Sequence, residues 1–328
     1  MKVSLVFTTL DEEDSIAALL DSVAAQTRQP DDVVMVDGGS QDRTVARAEA
    51  YRDRLPLRVL QAPGANISRG RNIAIAAALS DVIACTDSGV RLPSNWLAEL
   101  VRPIEAGAAG AAGFFHSEGR GAFQVALGAT VLPHADDIDP ESFLPSCRSA
   151  AFRKEAWECA GGFPEWLDYC EDLVFDLALR RLYGPFAFVP SASVAFPPRR
   201  SLGAFFRQYY RYARGDGKAL LWTRRHLARY AAYLLTPAVL VAAHTLSPPA
   251  PPILATLVWV GVVAGVAGYL GRPYRRLVRM WGPLAGPERL AAAGLVPLIR
   301  LTGDMAKMAG YPAGLWWRWR HRGAARGP

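Results

Sequence analysis

The chain has 328 residues, of which 51% are hydrophobic, and a formal net charge of +7. Residues 1–198 carry a net charge of −10, whereas residues 199–328 carry +17 and hold only three acidic side chains, Asp216, Glu288 and Asp304. Such a basic, apolar C-terminal part is typical of contact with nucleic acid or an anionic membrane. The four cysteines show no CxxC spacing, which excludes the usual zinc modules.

Apolar runs and amphipathic segments alternate along the N-terminal part of the chain. Four runs predict strands, "KVSLVFT", "DDVVMVD", "PLRVLQA" and "DVIACTD". The segments between and after them repeat their apolar residues with the period of a helix, "DSIAALLDSVAAQT", "DRTVARAEAYRD", "SRGRNIAIAAAL" and "NWLAELVRPIEAG". This alternation favours the α/β class, with a Rossmann-like parallel or mixed sheet and helices on both faces.

Polar residues follow three of the predicted strands, at Thr8–Glu12, Asp37–Ser40 and Asp87–Gly89. In parallel sheets ligands bind at the carboxyl ends of the strands, so these residues predict one crevice. The first turn, "TTLDEED", has no glycine and four acids, so it disfavours a dinucleotide-binding oxidoreductase. Mg²⁺ is held by one or two carboxylates plus ligand phosphates, and Asp87 suits that role with Arg71 nearby to neutralise charge.

An acidic pair, Glu171 and Asp172, begins the helical pattern "EDLVFDLALRRLYG". Acids at a helix N-terminus stabilise the helix by about 0.3–1 kcal/mol through the macrodipole, which gives the pair a purely structural explanation. The preceding "GGFPEWLDY" is apolar and aromatic, which suits the wall of a binding site and favours a functional interpretation of the pair.

Residues 230–271 contain no charged side chain and divide into two apolar segments around the turn "SPPAPP". Each segment approaches the length of a membrane-spanning helix, which predicts a transmembrane hairpin, with a buried core hairpin as the alternative. Arginines flank the stretch on both sides, so both ends are expected on the cytoplasmic side of the cell membrane. We therefore expect a membrane and no nucleic acid as partner.

Five motifs in order carry a family resemblance: "VSLVFTTLDEE", "VDGGSQDRT", "SRGRNIAI", "CTDSGV" and "GGFPEWLDYCEDLVFDLALRRLYG". Over roughly residues 1–200 the chain resembles the family 2 glycosyltransferases with the GT-A fold. The resemblance implies a nucleotide-diphosphate sugar donor, Mg²⁺ or Mn²⁺, and inversion at the anomeric carbon.

The resemblance also implies residue roles in donor binding. Thr8 and Glu12 match the loop that lines the nucleotide, and Asp37 matches the aspartate that binds the base. Arg71 matches the arginine of the central helix, and Asp87 matches the first aspartate of the DxD motif that binds metal and diphosphate.

The chain departs from the family at Gly89, where the second DxD aspartate usually stands, and at Leu10, which replaces a tyrosine. Asp87 is therefore the one carboxylate that the resemblance offers as a ligand of Mg²⁺ or Mn²⁺.

On the acceptor side, the resemblance makes Asp172 the catalytic base and Glu171 its neighbour in acceptor binding. Gln208, Arg211 and Tyr212 resemble the QxxRW motif that borders the acceptor, although a basic interfacial helix explains them equally well. Processive synthases use more membrane spans than one hairpin, so transfer of a single sugar is expected.

The sequence thus predicts four segments, namely a GT-A catalytic domain (1–198), a basic interfacial segment (199–229), a transmembrane hairpin (230–271) and a basic tail (272–328). The predicted function is transfer of one sugar to a lipid or lipid-linked acceptor. Two alternatives stay open, a membrane-tethered protein that binds nucleotide sugars without transfer and a processive polysaccharide synthase.

Overall fold

The computed structural model of the protein describes residues 1–245 and 252–321. The described residues divide into two compact units, the first made of Met1–Glu118 and Pro133–Pro197, the second of Gly119–Leu132 and residues 198–321. The first unit contains β1 (Val3–Thr9), α1 (Ile16–Ala24), β2 (Asp32–Asp37), α2 (Thr44–Glu49), β3 (Leu57–Gln61), α3 (Ile67–Ala77), β4 (Val82–Cys85), α4 (Trp96–Glu105), β5 (Gly110–Ser117), β6 (Ala150–Arg153), α6 (Lys154–Cys159), α7 (Glu171–Tyr183) and β7 (Ala187–Phe196). The second contains α5 (Gly121–Val131), α8 (Leu202–Ala219), α9 (Thr223–Thr245), α10 (Pro252–Arg279) and α11 (Gly286–Arg320).

A seven-stranded mixed sheet forms the centre of the first unit, in the order β3-β2-β1-β4-β6-β5-β7. Strands β1 to β4 pair in parallel, whereas β6 runs antiparallel to β4 and β5. Successive side chains of a strand point to opposite faces, so Leu5 and Phe7 join one buried cluster and Val6 joins the other. Each cluster is closed by helices, which confirms the predicted α/β class with covered faces.

Three strands were not predicted from the sequence, β5, β6 and β7. The first begins with "GAAG", a run of small residues without the apolar signature of a strand, and β6 has only four residues. Pro190 interrupts β7, and the pairing of β5 with β7 shifts register between Gly113 and Phe114. Small residues and a proline weaken strand patterns, although the surrounding core stabilises the strands.

The second unit is helical, and its longest helix, α11, has 35 residues. Glycines allow α8 and α11 to pack closely: a Cβ on Gly310 would lie 2.2 Å from the carbonyl oxygen of Tyr210, and one on Gly314 would lie 2.2 Å from that of Arg214. Phe205 of α8 is buried in the apolar core of this unit. The division places Gly119–Leu132 in the second unit, and the predicted domain bounds stay a prediction.

The predicted transmembrane hairpin falls on α9 and α10, and residues 247–251 of its turn lie outside the described residues. In the described part of the chain, no helix combines the length and the apolar character needed to span a bilayer. Arginines occupy the first turns of α9 and the last turns of α10. The transmembrane part of the fold prediction is therefore not supported.

Candidate active site

Asp37 ends β2 beside the end of β1, since Thr9 pairs with Asp37 in the sheet. Its buried carboxylate accepts hydrogen bonds from the backbone N–H of Gly39 (3.1 Å) and of Ser40 (3.1 Å) and from the Ser40 hydroxyl (2.6 Å). The aspartate therefore stabilises the turn that follows its own strand. Its role in binding a base stays a prediction.

Thr8 and Glu12 lie at the end of β1 and in the loop that follows. Thr8 is half-buried and packs against α3, where Gly70 leaves room for its methyl group. The Glu12 carboxylate accepts a hydrogen bond from the Ser15 hydroxyl just before α1. Both residues thus have structural contacts, and their predicted contact with a nucleotide is untested.

Arg71 is the centre of the candidate site. It lies on α3 and is 3% exposed. Its Nη2 donates to Asp87 Oδ1 at 2.9 Å, and its Nη1 donates to Glu171 Oε1. One guanidinium group therefore joins Asp87, the second residue after β4, to Glu171, the first residue of α7. Arg71 and Glu171 are 100 positions apart in the sequence. Three predicted site residues are brought together in this way, and Asp172 follows Glu171 directly.

The polar face of α3 fixes the loop that leads into α7. The Asn72 side chain donates to the carbonyl oxygen of Phe163 at 2.8 Å and accepts from its N–H at 2.9 Å. The Ser68 hydroxyl donates to the carbonyl oxygen of Leu167 at 2.8 Å. Because the helix that carries Arg71 also holds this loop, the acidic pair and the arginine keep a fixed separation.

Arg148 was missed by the sequence analysis, yet it contacts Asp87. Its Nε lies 3.4 Å from Asp87 Oδ2, and its guanidinium group lies 4.8 Å from the centre of the Phe196 ring. The antiparallel register explains the position. Cys85 of β4 pairs with Ala150 of β6, so continuing the register by two residues sets Asp87 opposite Arg148. No local motif marks this arginine; only the antiparallel pairing reveals it.

Burial controls the protonation of the acidic residues on α7. It raises the pKa of Glu171 to about 7, assisted by the charge of Asp172 and opposed by Arg71. Burial also raises the pKa of Asp172, against the lowering effect of Arg71. Raised carboxyl pKa values suit a group that must accept a proton near neutral pH. Desolvation also raises the pKa of Asp176 well above its ordinary value, which favours the neutral form of this carboxyl group.

Few side chains at this site could act as ligands of a divalent metal ion. Within residues 1–245 and 252–321, no group of three or more His, Cys, Asp or Glu side chains could hold a metal ion. Asp87 is a single carboxylate with an arginine at each oxygen. It fits an Mg²⁺ or Mn²⁺ ion that takes its other ligands from phosphate and water, and it does not form a protein cage.

Gly89→Asp is expected to strengthen metal-dependent nucleotide binding. Gly89 does not have a positive φ, and a Cβ at this position would meet nothing within 4 Å, so the backbone accepts an aspartate without strain. A second carboxylate two residues after Asp87 adds a ligand, and we expect about tenfold tighter Mn²⁺ binding in the presence of a nucleoside diphosphate. Titration calorimetry measures this affinity. Gly89→Asn is the control of equal size, and equal affinities for both variants would contradict a metal role for the loop.

Gly70→Ala is expected to destabilise the protein and to disturb Arg71. An alanine Cβ would lie 2.7 Å from Thr8 Cγ2, so α3 and β1 must separate. Overpacking of this kind costs about 1–3 kcal/mol in the free energy of unfolding, measured by urea denaturation. Adding Thr8→Ser removes Cγ2 and should recover most of that loss. An unchanged loss in the double variant would show that another contact causes it.

The predicted acceptor residues Gln208, Arg211 and Tyr212 lie on α8, in the second unit. Gln208 Nε2 donates to the Tyr212 hydroxyl at 2.9 Å, so two of the three contact each other along the helix. Their part in acceptor binding stays a prediction.

The mixed sheet with helices on both faces and polar residues at its strand ends has a GT-A-like fold. Residues 4–156 match the family model described as "Glycosyl transferase family 2". This part of the chain is a family 2 glycosyltransferase domain, and the protein is a transferase. The predicted family and enzyme class are thereby confirmed.

Two solved structures resemble the chain at low sequence identity. The mannosyltransferase PcManGT from Pyrobaculum calidifontis, in complex with GDP-Man and Mn²⁺, is 20% identical and aligns over 90% of this chain and 87% of its own, with a TM-score of 0.56. TarS 1-349 from S. aureus, in complex with UDP, is 19% identical over 98% of this chain and 92% of its own, with a TM-score of 0.48. A search of curated proteins finds no match.

Proposed function

We propose that the protein is an inverting glycosyltransferase that moves one sugar from a nucleotide-diphosphate sugar to a membrane-associated acceptor, a lipid or a lipid-linked glycan. The observation that carries the proposal is the contact of Arg71 with both Asp87 and Glu171. This contact joins the predicted donor residues to the predicted catalytic pair. The mannosyltransferase of similar fold was solved with GDP-Man and Mn²⁺, which supports a nucleotide-sugar donor.

In the proposed reaction, Asp172 removes the proton from the acceptor hydroxyl, and the hydroxyl oxygen attacks the anomeric carbon. The bond between that carbon and the diphosphate oxygen breaks, and the nucleoside diphosphate leaves with the electron pair. Arg71 and Arg148 both contact Asp87 and are proposed to stabilise the charge of the departing diphosphate, as fixed cations do. A divalent ion held by Asp87 and the diphosphate would supply further neutralisation.

The membrane part of the proposal rests on exposed apolar side chains beside arginines. Leu234 of α9 is 70% exposed and Val263 of α10 is 65% exposed, and both helices have further exposed Leu and Val residues. Contiguous apolar surface of this kind is unusual on a soluble monomer. Arg224 and Arg225 lie at the start of α9, and basic side chains attract the anionic cytoplasmic leaflet of a cell membrane. We therefore propose that these helices contact an anionic membrane from its cytoplasmic side.

Donor turnover separates the proposal from its alternatives. Purified protein, supplied with Mn²⁺ and a panel of UDP-sugars and GDP-sugars, should release nucleoside diphosphate faster when a lipid extract is added as acceptor. A protein that binds nucleotide sugars without transfer would show saturable binding and no release. Mass spectrometry of the product should show one added sugar, whereas a ladder of additions would identify a processive synthase.

Membrane contact is tested by flotation with vesicles of phosphatidylcholine, with or without phosphatidylglycerol. We expect the protein to float with the anionic vesicles and to lose this association as salt is raised. Failure to float with either kind of vesicle would contradict the membrane part of the proposal and leave the transferase part standing.

A further inference from the structure

A buried polar cluster lies in the second unit, where α9, α10 and α11 meet. Its carboxylate is Asp304, which is 6% exposed and lies on α11. Arg300 and Lys307 lie four residues before and three residues after Asp304, so all three share one face of the helix. We name this group the α11 cluster; its members are Arg229, Tyr233, Tyr269, Arg300, Asp304 and Lys307.

Asp304 already has a full set of partners. Arg229 Nε donates to its Oδ1 at 2.8 Å. The hydroxyl groups of Tyr269 and Tyr233 donate to its Oδ2 at 2.6 Å and 3.2 Å. Burial alone would raise the pKa of Asp304, yet the hydrogen bond from Tyr269 and the charges of Lys307 and Arg229 lower it. The carboxylate is therefore ionised, and both Arg229 and Lys307 stabilise its charge.

The α11 cluster has more positive than negative charge. Three cations, Arg229, Arg300 and Lys307, surround one carboxylate in the cluster, Asp304, which Arg229 contacts directly. The charge of Asp216, outside the cluster, also acts on Lys307. The Arg300 guanidinium lies 4.7 Å from the centre of the Tyr269 ring, and Lys307 Nζ lies 5.1 Å from that of Tyr209. Burial lowers the pKa of Lys307 to about 8, assisted by the charges of Arg229 and Arg300. Two cations crowded in this way would be stabilised by an anion.

Arg300 also has an unsatisfied donor. Its Nε is buried and has no hydrogen-bond partner among the described residues. A buried donor without a partner costs about 1–3 kcal/mol, so such atoms are uncommon unless a ligand completes them. A cluster that only tied the helices together would be complete with Arg229, Lys307 and the two tyrosines around Asp304. Arg300 adds a second arginine whose buried Nε has no partner among the described residues.

We propose that the α11 cluster is a binding site for a phosphate group, with Arg300 and Lys307 as its ligands and Asp304 holding Arg229 and the tyrosines in place. Guanidinium groups bind phosphate through pairs of charge-assisted hydrogen bonds, and a lysine adds a compact charge. The site goes beyond the transferase function and does not depend on it.

The phosphate has two potential sources, a soluble phosphate and a lipid headgroup. Leu234, which is 70% exposed, follows Tyr233 directly on α9, and Val266 lies three residues before Tyr269 on α10 and is 52% exposed. Exposed apolar side chains near a phosphate site are compatible with an alkyl chain attached to that phosphate.

The test measures binding of two probes to the full chain by titration calorimetry in a non-ionic detergent. The probes are inorganic phosphate and hexadecyl phosphate. Arg300→Gln and Lys307→Gln should each weaken binding by at least about tenfold, the loss expected for one charge-assisted hydrogen bond. Binding of both probes with similar affinity identifies a soluble phosphate as the ligand, whereas binding of hexadecyl phosphate alone identifies a lipid phosphate.

Arg289→Gln is the matched control, because Arg289 is an arginine of α11 that lies outside the cluster. Like Arg300 it lies over an aromatic ring, with its guanidinium group 5.9 Å from the centre of the Trp281 ring. The variant should bind both probes as the wild type does. Lys307→Arg keeps the positive charge and should retain saturable binding of the probe, which tests the site even if the glutamine variants fold poorly. Absence of saturable binding to the wild type, or an equal loss in Arg289→Gln, would overturn the proposal.

Discussion

Asp172→Asn should fold and bind nucleotide normally and lose about 10²–10⁴-fold in transfer rate, the contribution of a general base. The amide keeps the shape of the side chain and can still accept the hydrogen bond that the Leu173 N–H donates to Asp172 Oδ1 at 2.9 Å. It cannot accept a proton. If the acid served only the helix dipole, the loss would be under about 1 kcal/mol of stability, with activity intact. Melting temperature, nucleoside-diphosphate affinity and transfer rate, measured on the same variant, distinguish the two roles.

Asp176→Asn is the matched control for that experiment. Asp176 lies one turn further along α7, and burial raises its pKa well above the ordinary value, which favours the neutral form. A neutral amide of the same shape should therefore change the rate little. Glu171→Gln should be intermediate if Glu171 positions the acceptor. An Asp172→Asn variant that keeps more than about a tenth of the wild-type rate would show that another group is the base.

The first half of the catalytic fold follows from local pattern. The strands "KVSLVFT" and "DDVVMVD" are long apolar runs bounded by polar turns, and the structure has strands at Val3–Thr9 and Asp32–Asp37. β5 and β7 do not follow from pattern, because glycine, alanine and proline carry a weak strand signal and the pairing is decided by the core. The antiparallel direction of β6 depends on the route of the chain through α5, which no local pattern encodes.

In the candidate site, too, some residues can be predicted from sequence pattern and others only from the tertiary structure. Asp87 could be predicted because a buried strand ends just before it, and strand ends in parallel sheets carry ligand residues. The contact of Arg71 with Glu171 joins residues 100 positions apart and rests on the packing of α3 against the loop before α7. Arg148 required the register of β4 with β6. Sequence patterns thus identify candidate residues, whereas tertiary pairing decides which of them meet.

Arg71→Met should lower the free energy of unfolding by about 3–5 kcal/mol at neutral pH, the cost of leaving buried charges without their partner. Arg71 is 3% exposed and is the cation nearest to Glu171, itself 5% exposed. Without it, the folded-state pKa values of Glu171 and Asp172 rise further. An acid whose folded pKa is raised gives stability that is present at low pH and lost as the pH rises through that pKa. The loss should therefore shrink at about pH 5, which lies below the pKa of Glu171. Urea unfolding at pH 5 and at neutral pH measures it.

A second substitution and a matched pair make this prediction specific. Glu171→Gln in the Arg71→Met background removes one uncompensated charge and should recover part of the lost stability at neutral pH. Arg58→Met removes the partner of another buried acid, Asp32, at 2.8 Å. In that variant Asp32 keeps hydrogen bonds from the Ser4 hydroxyl at 2.9 Å and the Leu79 N–H at 3.1 Å. Arg58→Met should therefore lower the free energy of unfolding less than Arg71→Met does. Two outcomes would contradict this prediction: equal losses of unfolding free energy in the Arg71 and Arg58 variants, or a loss in Arg71→Met that does not depend on pH. Either would show that Arg71 contributes through packing and that other groups maintain the charge balance at the candidate site.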